Sequence, residues 1–346
     1  MSNKSSLTKN KSLIILSIIL FICLAIENYI LNSRHPEQSI DSIFINPLLI
    51  TILFLYITDI ANPNHNIVPM LLSFLAIFLV NKEITHNIYI NSFGTLILII
   101  LVISLLYYSS LIKRIKDPHN KINYLISYPC LILLCLFEHS LALAVTISIL
   151  ILFITNKDKQ SKKLLLIDII VSAISLIGSK CYQYLSLKTI SYSSEWSNLS
   201  LWKKFASGYD SFFLPMFKYN VLIVIILSIC IIILLLRKNT NKILKYISII
   251  INIISVLLLI ISLFKELPWY IEYIFWPIYM LNNFITLIKV SNNKIALLSY
   301  VVAGLSAFFI CFNEQHELFY SIYTVYYTIL VANIVINDSI NQNSIK

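Results

Sequence analysis

Residues 243–264 read ILKYISIIINIISVLLLIISLF, an apolar run that contains one charged residue, Lys245. A helix needs about 20 consecutive apolar residues to cross the hydrocarbon core of a bilayer, so this run is long enough. Similar runs recur along most of the 346 residues, which are 58% hydrophobic and only 12% charged, with a mean hydropathy of +0.84. A soluble domain has about a quarter of its residues charged. The sequence therefore predicts an all-α, polytopic membrane protein and excludes a soluble enzyme, a disordered chain and a secreted disulfide scaffold.

Twelve apolar runs can be distinguished, and we expect each to span the membrane as one helix. They cover residues 12–26, 43–61, 65–81, 92–112, 122–137, 139–155, 163–181, 217–236, 243–264, 270–288, 294–312 and 317–337. The short fifth and sixth runs are also compatible with one re-entrant hairpin. The whole chain, residues 1–346, is expected to form a single integral membrane domain without internal repeats.

Basic residues set the predicted orientation. With the N-terminus inside the cell, 18 of the 26 Lys and Arg residues fall in inner segments, and five of the other eight lie between Lys180 and Lys218 in one long outer loop. Positive charge accumulates on the cytoplasmic side of membrane proteins, and long loops follow this rule less strictly. Both termini, residues 1–11 and 338–346, are therefore predicted to be cytoplasmic. Because the net charge of +10 arises from these clusters, nucleic-acid binding is not expected.

The enlarged outer loop covers residues 182–217 and contains an amphipathic segment. Ser194 is a candidate N-cap and Gly208 a candidate stop for a helix. One side of that helix would carry Trp196, Leu199, Trp202, Phe205 and Ala206. Such a segment is typical of a helix that lies in the outer headgroup layer. Lys203 and Lys204 are candidates for binding phosphate, either of bulk lipid or of a lipid-linked donor.

Acidic residues and histidines concentrate on the predicted outer side, so any chemistry is expected there. The first outer loop, residues 27–41, holds Arg34, Glu37 and Asp41. A carboxylate in this loop would suit a general base for a sugar hydroxyl, and the arginine would suit a phosphate. A solvated loop without chemistry is the alternative.

Two further acid–histidine pairs are candidates for the same outer site. Glu138 and His139 separate two apolar runs without turn residues, where a charge is costly unless it is used or paired. Glu314 and His316 come just before the last predicted span, where acidic residues also favour the helix dipole. A tight polar turn and a plain helix N-terminus are the respective alternatives.

Few polar residues fall inside the predicted spans. Asp59 and Asp168 lie near inner helix ends and are expected to be interfacial. Hydrogen bonding between helices is expected of Asn252, Asn282, Asn283 and Asn333.

The sequence predicts neither a metal site nor a cofactor. It lacks the zinc-protease spacing, a nucleotide-binding glycine loop and a G-x-S-x-G elbow. The six cysteines show no paired metal spacing and no disulfide framework. Cys130 and Cys135 are expected to be buried, and Cys181 is expected to be exposed.

The size, the span number and the enlarged outer loop with its aromatic and basic residues resemble bacterial polytopic enzymes of surface-polysaccharide assembly. These are the O-antigen and capsule polymerases and the multi-spanning glycosyltransferases that use undecaprenyl-linked sugars. Only three basic residues are arginine, and Ile, Asn and Lys dominate, which indicates an AT-rich bacterial genome. The resemblance implies an inner-membrane enzyme of O-antigen (lipopolysaccharide) or capsule biosynthesis that acts on its periplasmic face.

The resemblance also implies a reaction, in which an acceptor sugar hydroxyl attacks the anomeric carbon of a lipid-phosphate donor. The base would be Glu37, Asp41 or Glu138. Arg34, Lys203 and Lys204 would hold the leaving phosphate. Partners would be the undecaprenyl-linked donor and acceptor, membrane lipids, and chain-length regulators or flippases.

Two other classes remain open. The first is a transporter or flippase of lipid-linked sugars or of a small solute, which would need ionisable residues near the midplane. The predicted spans hold few such residues. The second is a structural or immunity protein of the membrane without catalysis, which would tolerate every substitution on its outer face.

Overall fold

The structure is a computed structural model that is helical throughout the part of the chain it describes. That part comprises residues 2–34, 40–64, 66–88, 92–156, 158–186, 199–208, 221–238, 240–262, 264–265, 267–291, 294–310 and 321–341. These residues are 92% helical and contain no strand. The all-α prediction is confirmed for them.

Thirteen helices are formed by the described residues. They are α1 (Ser2–Arg34), α2 (Ile40–Ala61), α3 (Ile67–Ile88), α4 (Ser92–Lys116), α5 (Lys121–Phe137), α6 (His139–Thr155), α7 (Lys159–Ser186), α8 (Leu201–Gly208), α9 (Val221–Arg237), α10 (Lys242–Ser262), α11 (Trp269–Val290), α12 (Lys294–Ile310) and α13 (Ser321–Asn341). All except α8 coincide with one of the twelve apolar runs. An apolar segment becomes helical because a helix satisfies its own backbone hydrogen bonds, which lipid cannot do.

Within the described residues, five helices are long and apolar enough to cross a membrane. Their candidate segments are Lys11–Ile30, Phe44–Ala61, Thr95–Lys116, Lys159–Tyr182 and Lys242–Ser262. Most residues of the first, fourth and fifth segments are not buried in the protein, and their exposed side chains include many Ile and Leu. Such an apolar exterior is the surface expected of a protein surrounded by lipid.

Hydrogen bonds between helix ends show which ends lie together. The guanidinium of Arg237 at the end of α9 donates to the Ser339 carbonyl at the end of α13 (2.7 Å). The Asn337 amide of α13 donates to the Ala61 carbonyl at the end of α2 (3.0 Å). Lys113 near the end of α4 lies 3.7 Å from Asp59 of α2. We call this end of the bundle the basic end, since the last turns of α4, α9 and α11 carry Lys or Arg.

The last described helix, α13, forms the centre of the bundle. It packs against α2, α3, α9 and α12, and almost all of its described side chains are buried.

Elsewhere Cys130 and Cys135 are buried while Cys181 is exposed, as the sequence predicts.

The prediction of one helix from Ser194 to Gly208 is wrong at its start. Leu199 and Ser200 are not helical, and α8 begins at Leu201. Ser200 is the local cap, because its hydroxyl accepts the Lys203 N–H (3.4 Å) and its carbonyl accepts the Lys204 N–H (3.0 Å). The predicted end at Gly208 agrees with the structure.

Candidate functional site

Glu138 is the single residue that joins α5 to α6. Its backbone N–H donates to the Leu134 carbonyl (2.9 Å), which closes the last turn of α5. Its carboxylate accepts the Ser140 N–H (3.3 Å), which caps the first turn of α6. Both ends of this helical break therefore depend on one residue, through its backbone at the end of α5 and its buried side chain at the start of α6.

His139, the first residue of α6, connects this link to α7. Its Nε2 lies 2.8 Å from the Ser179 hydroxyl, and Ser179 is buried. Lys180, the next residue of α7, is close enough to act electrostatically on Glu138. The sequence prediction paired Glu138 with His139 alone, and Ser179 and Lys180 were missed because they lie about 40 positions away in the chain.

Burial raises the pKa of Glu138 to about 7. Hydrogen bonds from the backbone at Ser140 and Leu141, and the positive charge of Lys180, oppose this rise. A carboxyl group with such a pKa exchanges its proton near neutral pH, which suits a general acid or base.

Two residues of the predicted first outer loop lie at the same end of the bundle as Glu138. Arg34 ends α1, and Asp41 is the second residue of α2. Since α2 finishes at the basic end, both residues lie at the opposite end; their side chains are outside the described part. Glu37, Trp196, Glu314 and His316 lie outside the described residues altogether.

The remaining predicted site residues belong to α8. Trp202 and Lys203 are exposed, and Lys204 is half-buried. Their exposure agrees with a surface helix.

The structure also contains a buried ion pair that the sequence prediction missed. Arg114 of α4 holds Asp168 of α7 with both arms of its guanidinium, Nη1 to Oδ1 at 2.9 Å and Nη2 to Oδ2 at 2.5 Å. Neither side chain is exposed to any extent. The Tyr107 hydroxyl of α4 adds a third hydrogen bond to Asp168 (2.9 Å).

Two aromatic rings of α5 complete the surroundings of Arg114. The guanidinium carbon lies 5.3 Å from the centre of the Tyr124 ring and 5.2 Å from that of Tyr128. Both distances allow a cation–π interaction. One arginine side chain therefore ties α4 to both α5 and α7.

Asp168 was expected near an inner helix end, and the structure adds that its side chain is enclosed by the protein. Asp168 lies five residues beyond Lys163, about 7.5 Å further along α7, and it is fully buried. It is the only charged residue between positions 164 and 178, which was the available sequence signal. Asp59, by contrast, is half-exposed at the basic end.

A second polar cluster joins α9, α10 and α11 without any charge. Its interhelical hydrogen bonds run from Ser228 to Ser255 (3.2 Å) and Tyr279 (3.0 Å), from Ser248 to Asn282 (3.0 Å) and Thr286 (2.8 Å), and from Asn252 to Asn283 (2.9 Å). The predicted interhelical role of the three asparagines is confirmed. Asn333 instead donates to the Ile329 carbonyl of its own helix (2.9 Å).

Comparisons with known proteins find no relative of this chain. No protein-family model matches it, and neither a curated protein nor a solved structure does.

Proposed function

We propose that α1–α7 and α9–α13 form twelve spans of a bacterial inner membrane, with the basic end in the cytoplasm. The clustering of Lys and Arg at that end supports this orientation. Both termini would then be cytoplasmic, and Glu138 would face the periplasm. The short helix α8 would lie in the periplasmic headgroup layer, since Leu201 and Trp202 are both exposed.

Within this arrangement we propose that the protein transfers or polymerises lipid-linked sugars at its periplasmic end. The observation that carries this proposal is the buried Glu138, whose pKa of about 7 suits a general base. His139 and Lys180 lie beside it, and Arg34 and Asp41 lie at the same end. A base, a cation and a membrane setting are what transfer from a lipid-phosphate donor requires.

In the proposed reaction Glu138 accepts the proton of an acceptor sugar hydroxyl. The oxygen of that hydroxyl bonds to the anomeric carbon of the donor sugar, and the bond from this carbon to the phosphate oxygen breaks. The undecaprenyl-type phosphate leaves with the bonding electrons. Lys180 offsets its negative charge, together with Arg34, Lys203 and Lys204. Glu37 and Asp41 remain alternative bases, and chain-length regulators or flippases would act beside the protein.

The test compares Glu138→Gln with Asp59→Asn, a matched loss of one carboxylate at the basic end. Each variant replaces the wild-type chain in its host, and equal membrane levels are verified. Lipid-linked intermediates are measured by mass spectrometry and the surface polysaccharide by gel banding. We expect Glu138→Gln to lower transfer by about 10²–10⁴-fold and Asp59→Asn to leave it unchanged.

The pattern of the defect separates the two reaction types. Accumulated single repeat units with a collapsed ladder indicate a polymerase. A persistent ladder that lacks one branch sugar indicates a transferase. Full activity after separate replacement of Glu37, Asp41 and Glu138 by Ala would overturn the proposal.

The buried Arg114–Asp168 pair favours a transporter or flippase as the second candidate function. Ionisable residues inside a membrane bundle commonly mark the path of an ion or substrate. The probe is an imposed pH gradient across vesicles that contain the purified chain, read with an entrapped pH-sensitive dye. Dissipation of the gradient by wild-type protein, but not by folded Asp168→Asn protein, would support this candidate. Ser172→Ala is the control variant on the same helix and is expected to behave like the wild type. Equal leakage with and without the protein would contradict proton-coupled transport.

A further inference from the structure

A small, partly open cavity lies between α9, α11, α12 and α13. Its volume is about 40 Å³. The wall segments of α9 and α13 belong to the first two turns of these helices, far from the basic end. Apart from four hydroxyl-bearing side chains, the wall consists of aliphatic residues, Met280 and Gly304.

All four hydroxyl groups on the wall are already hydrogen-bonded to the protein. The bonds are Tyr279 to the Ser228 hydroxyl (3.0 Å), Tyr300 to the Met280 carbonyl (3.1 Å), Thr324 to the Ala303 carbonyl (3.1 Å) and Thr328 to the Thr324 carbonyl (2.7 Å). Water gains little in such a space, whereas apolar cavities in proteins stay dry and accept hydrocarbon. The chemistry of the wall therefore selects an apolar occupant.

Gly304 lets the end of the Met280 side chain lie close to α12 at the wall of this cavity. A Cβ atom at this position would lie only 3.0 Å from Cε of Met280, so a larger side chain would displace Met280 or fill the cavity. A water-sized group needs about 10–15 Å³ of such volume, and the cavity therefore holds about three of them. That is the size of a short segment of hydrocarbon chain.

The surroundings identify where such a chain would come from. Leu222 of α9 and Ile278 of α11 are exposed apolar side chains on helices that form the wall. In a bilayer, these surfaces contact lipid tails, and the cavity is partly open. The wall helix α12 also packs against α6, the helix that begins at His139.

We propose that this cavity binds a segment of the hydrocarbon chain of a membrane lipid and thereby holds that lipid next to α6. The preference of the cavity for hydrocarbon follows from the side chains of its wall alone. The identity of the lipid as the polyprenyl carrier of the sugar rests on the proposed function. An ordinary phospholipid acyl chain has the same chemistry and is the other source.

The test uses two photoreactive probes, a polyprenyl phosphate and a phosphatidylglycerol, each with a diazirine near the end of its chain. The full chain in lipid nanodiscs is irradiated with each probe, and the labelled peptides are identified by mass spectrometry. Gly304→Leu fills the cavity. Gly178→Leu is the matched control, because no atom lies within 4 Å of a Cβ built at Gly178.

We expect labelling of the wall segments 223–227, 303–304 and 324–328 to exceed that of the lipid-facing helices α1 and α10. Gly304→Leu is expected to reduce it by about tenfold or more, since burying three methylene-sized groups is worth at least that factor in affinity. Ala303→Leu serves as a second filling variant if Gly304→Leu does not fold. Gly178→Leu is expected to label like the wild type.

The two probes separate this proposal from the proposed function. Preferential labelling by polyprenyl phosphate supports the cavity and its link to sugar transfer. Preferential labelling by phosphatidylglycerol supports the cavity alone and leaves sugar transfer to the Glu138 experiment. Wall labelling that does not exceed that of α1 and α10, or that persists in both filling variants, overturns the cavity proposal.

Discussion

The α4–α5–α7 group of helices is joined through a charged pair, whereas the α9–α10–α11 group is joined through neutral hydroxyl and amide groups. In the first group Arg114 and Asp168 are both fully buried. In the second, Ser248, Asn252 and Ser255 are equally buried on α10 and face α9 and α11. Both clusters have short hydrogen bonds in apolar surroundings, so geometry alone does not distinguish them.

The charged cluster and the neutral cluster differ in the consequence of losing one hydrogen-bond partner. An ion pair gains little net free energy over an apolar pair, but removing one member leaves an uncompensated charge in the interior, which costs about 3–5 kcal/mol. A hydrogen bond between helices in a membrane contributes about 0.6 kcal/mol on average. The charged group should therefore be sensitive to single substitutions and the neutral group tolerant of them.

The largest expected effect is that of Asp168→Asn. The substitution leaves the Arg114 charge buried without a counter-charge, and we expect the free energy of unfolding to fall by about 3–5 kcal/mol. Denaturant unfolding of the detergent-solubilised chain measures it. Asp59→Asn, which removes the half-exposed partner of Lys113, is the control and should cost less than about 1 kcal/mol.

A double substitution, Arg114→Met with Asp168→Leu, distinguishes charge from packing. It removes both charges and keeps apolar volume, so most of the lost stability should return. A double variant that is no more stable than Asp168→Asn would show that the contrast between the two groups does not arise from buried charge.

Tyr128→Leu is expected to have a smaller effect. It removes one of the two rings that face the Arg114 guanidinium, and a cation–π interaction is worth about 0.5–2 kcal/mol. Tyr128→Phe keeps the ring and should retain most of that stability in the same unfolding assay. Equal losses in the two variants would mean that the ring face does not stabilise the cation.

Removing the positive charge of Lys180, at the other end of α7, is expected to have a smaller effect again, because Lys180 is exposed. Lys180 lowers the pKa of Glu138, which burial has raised to about 7. Lys180→Met removes that influence, so the pKa of Glu138 rises further. If Glu138 acts as the base, activity increases as Glu138 ionises, and this increase should move to higher pH by less than about one unit.

The pH–rate profile of sugar transfer measures this shift. Lys242→Met, which removes a lysine at the basic end, should leave the profile in place. A shift toward lower pH in Lys180→Met would contradict the assigned roles of both Glu138 and Lys180.

The smallest expected effect is that of Ser248→Ala in the neutral group. Ser248 bonds to Asn282 and Thr286, and the loss of two bonds worth about 0.6 kcal/mol each should cost about 1 kcal/mol. The unfolding assay used for Asp168→Asn allows direct comparison. A loss similar to that of Asp168→Asn would remove the difference between the two groups of helices.

Helix positions could be predicted from the sequence because hydropathy is a local property. Each apolar run coincides with one helix, and the break at Glu138 is where the run itself is interrupted. The start of α8 was misplaced because Ser194 and Ser200 are equally good caps in isolation. Only the backbone geometry at Leu199 and Ser200 distinguishes them.

The contacts that define the two clusters could not be predicted in the same way. Arg114 resembles the other basic residues that separate the apolar runs, and its partner is 54 positions away. Its long side chain also allows the guanidinium to lie deeper than its Cα position suggests. The hydrogen bond from His139 to Ser179 likewise depends on how α6 and α7 pack, which no local pattern reveals.

The lengths of the helices would affect the thickness of the bilayer in the proposed twelve-span arrangement. The helices α5, α6, α9 and α12 have 17 residues each and are about 26 Å long, less than the hydrocarbon core of about 30 Å. A bilayer adapts to short spans by thinning. In the proposed twelve-span arrangement, the bilayer would therefore be thinnest around the α5–α6 link, where lipid headgroups would be drawn down toward Glu138. A phosphate carried on a lipid could then approach this carboxyl group without leaving the headgroup layer.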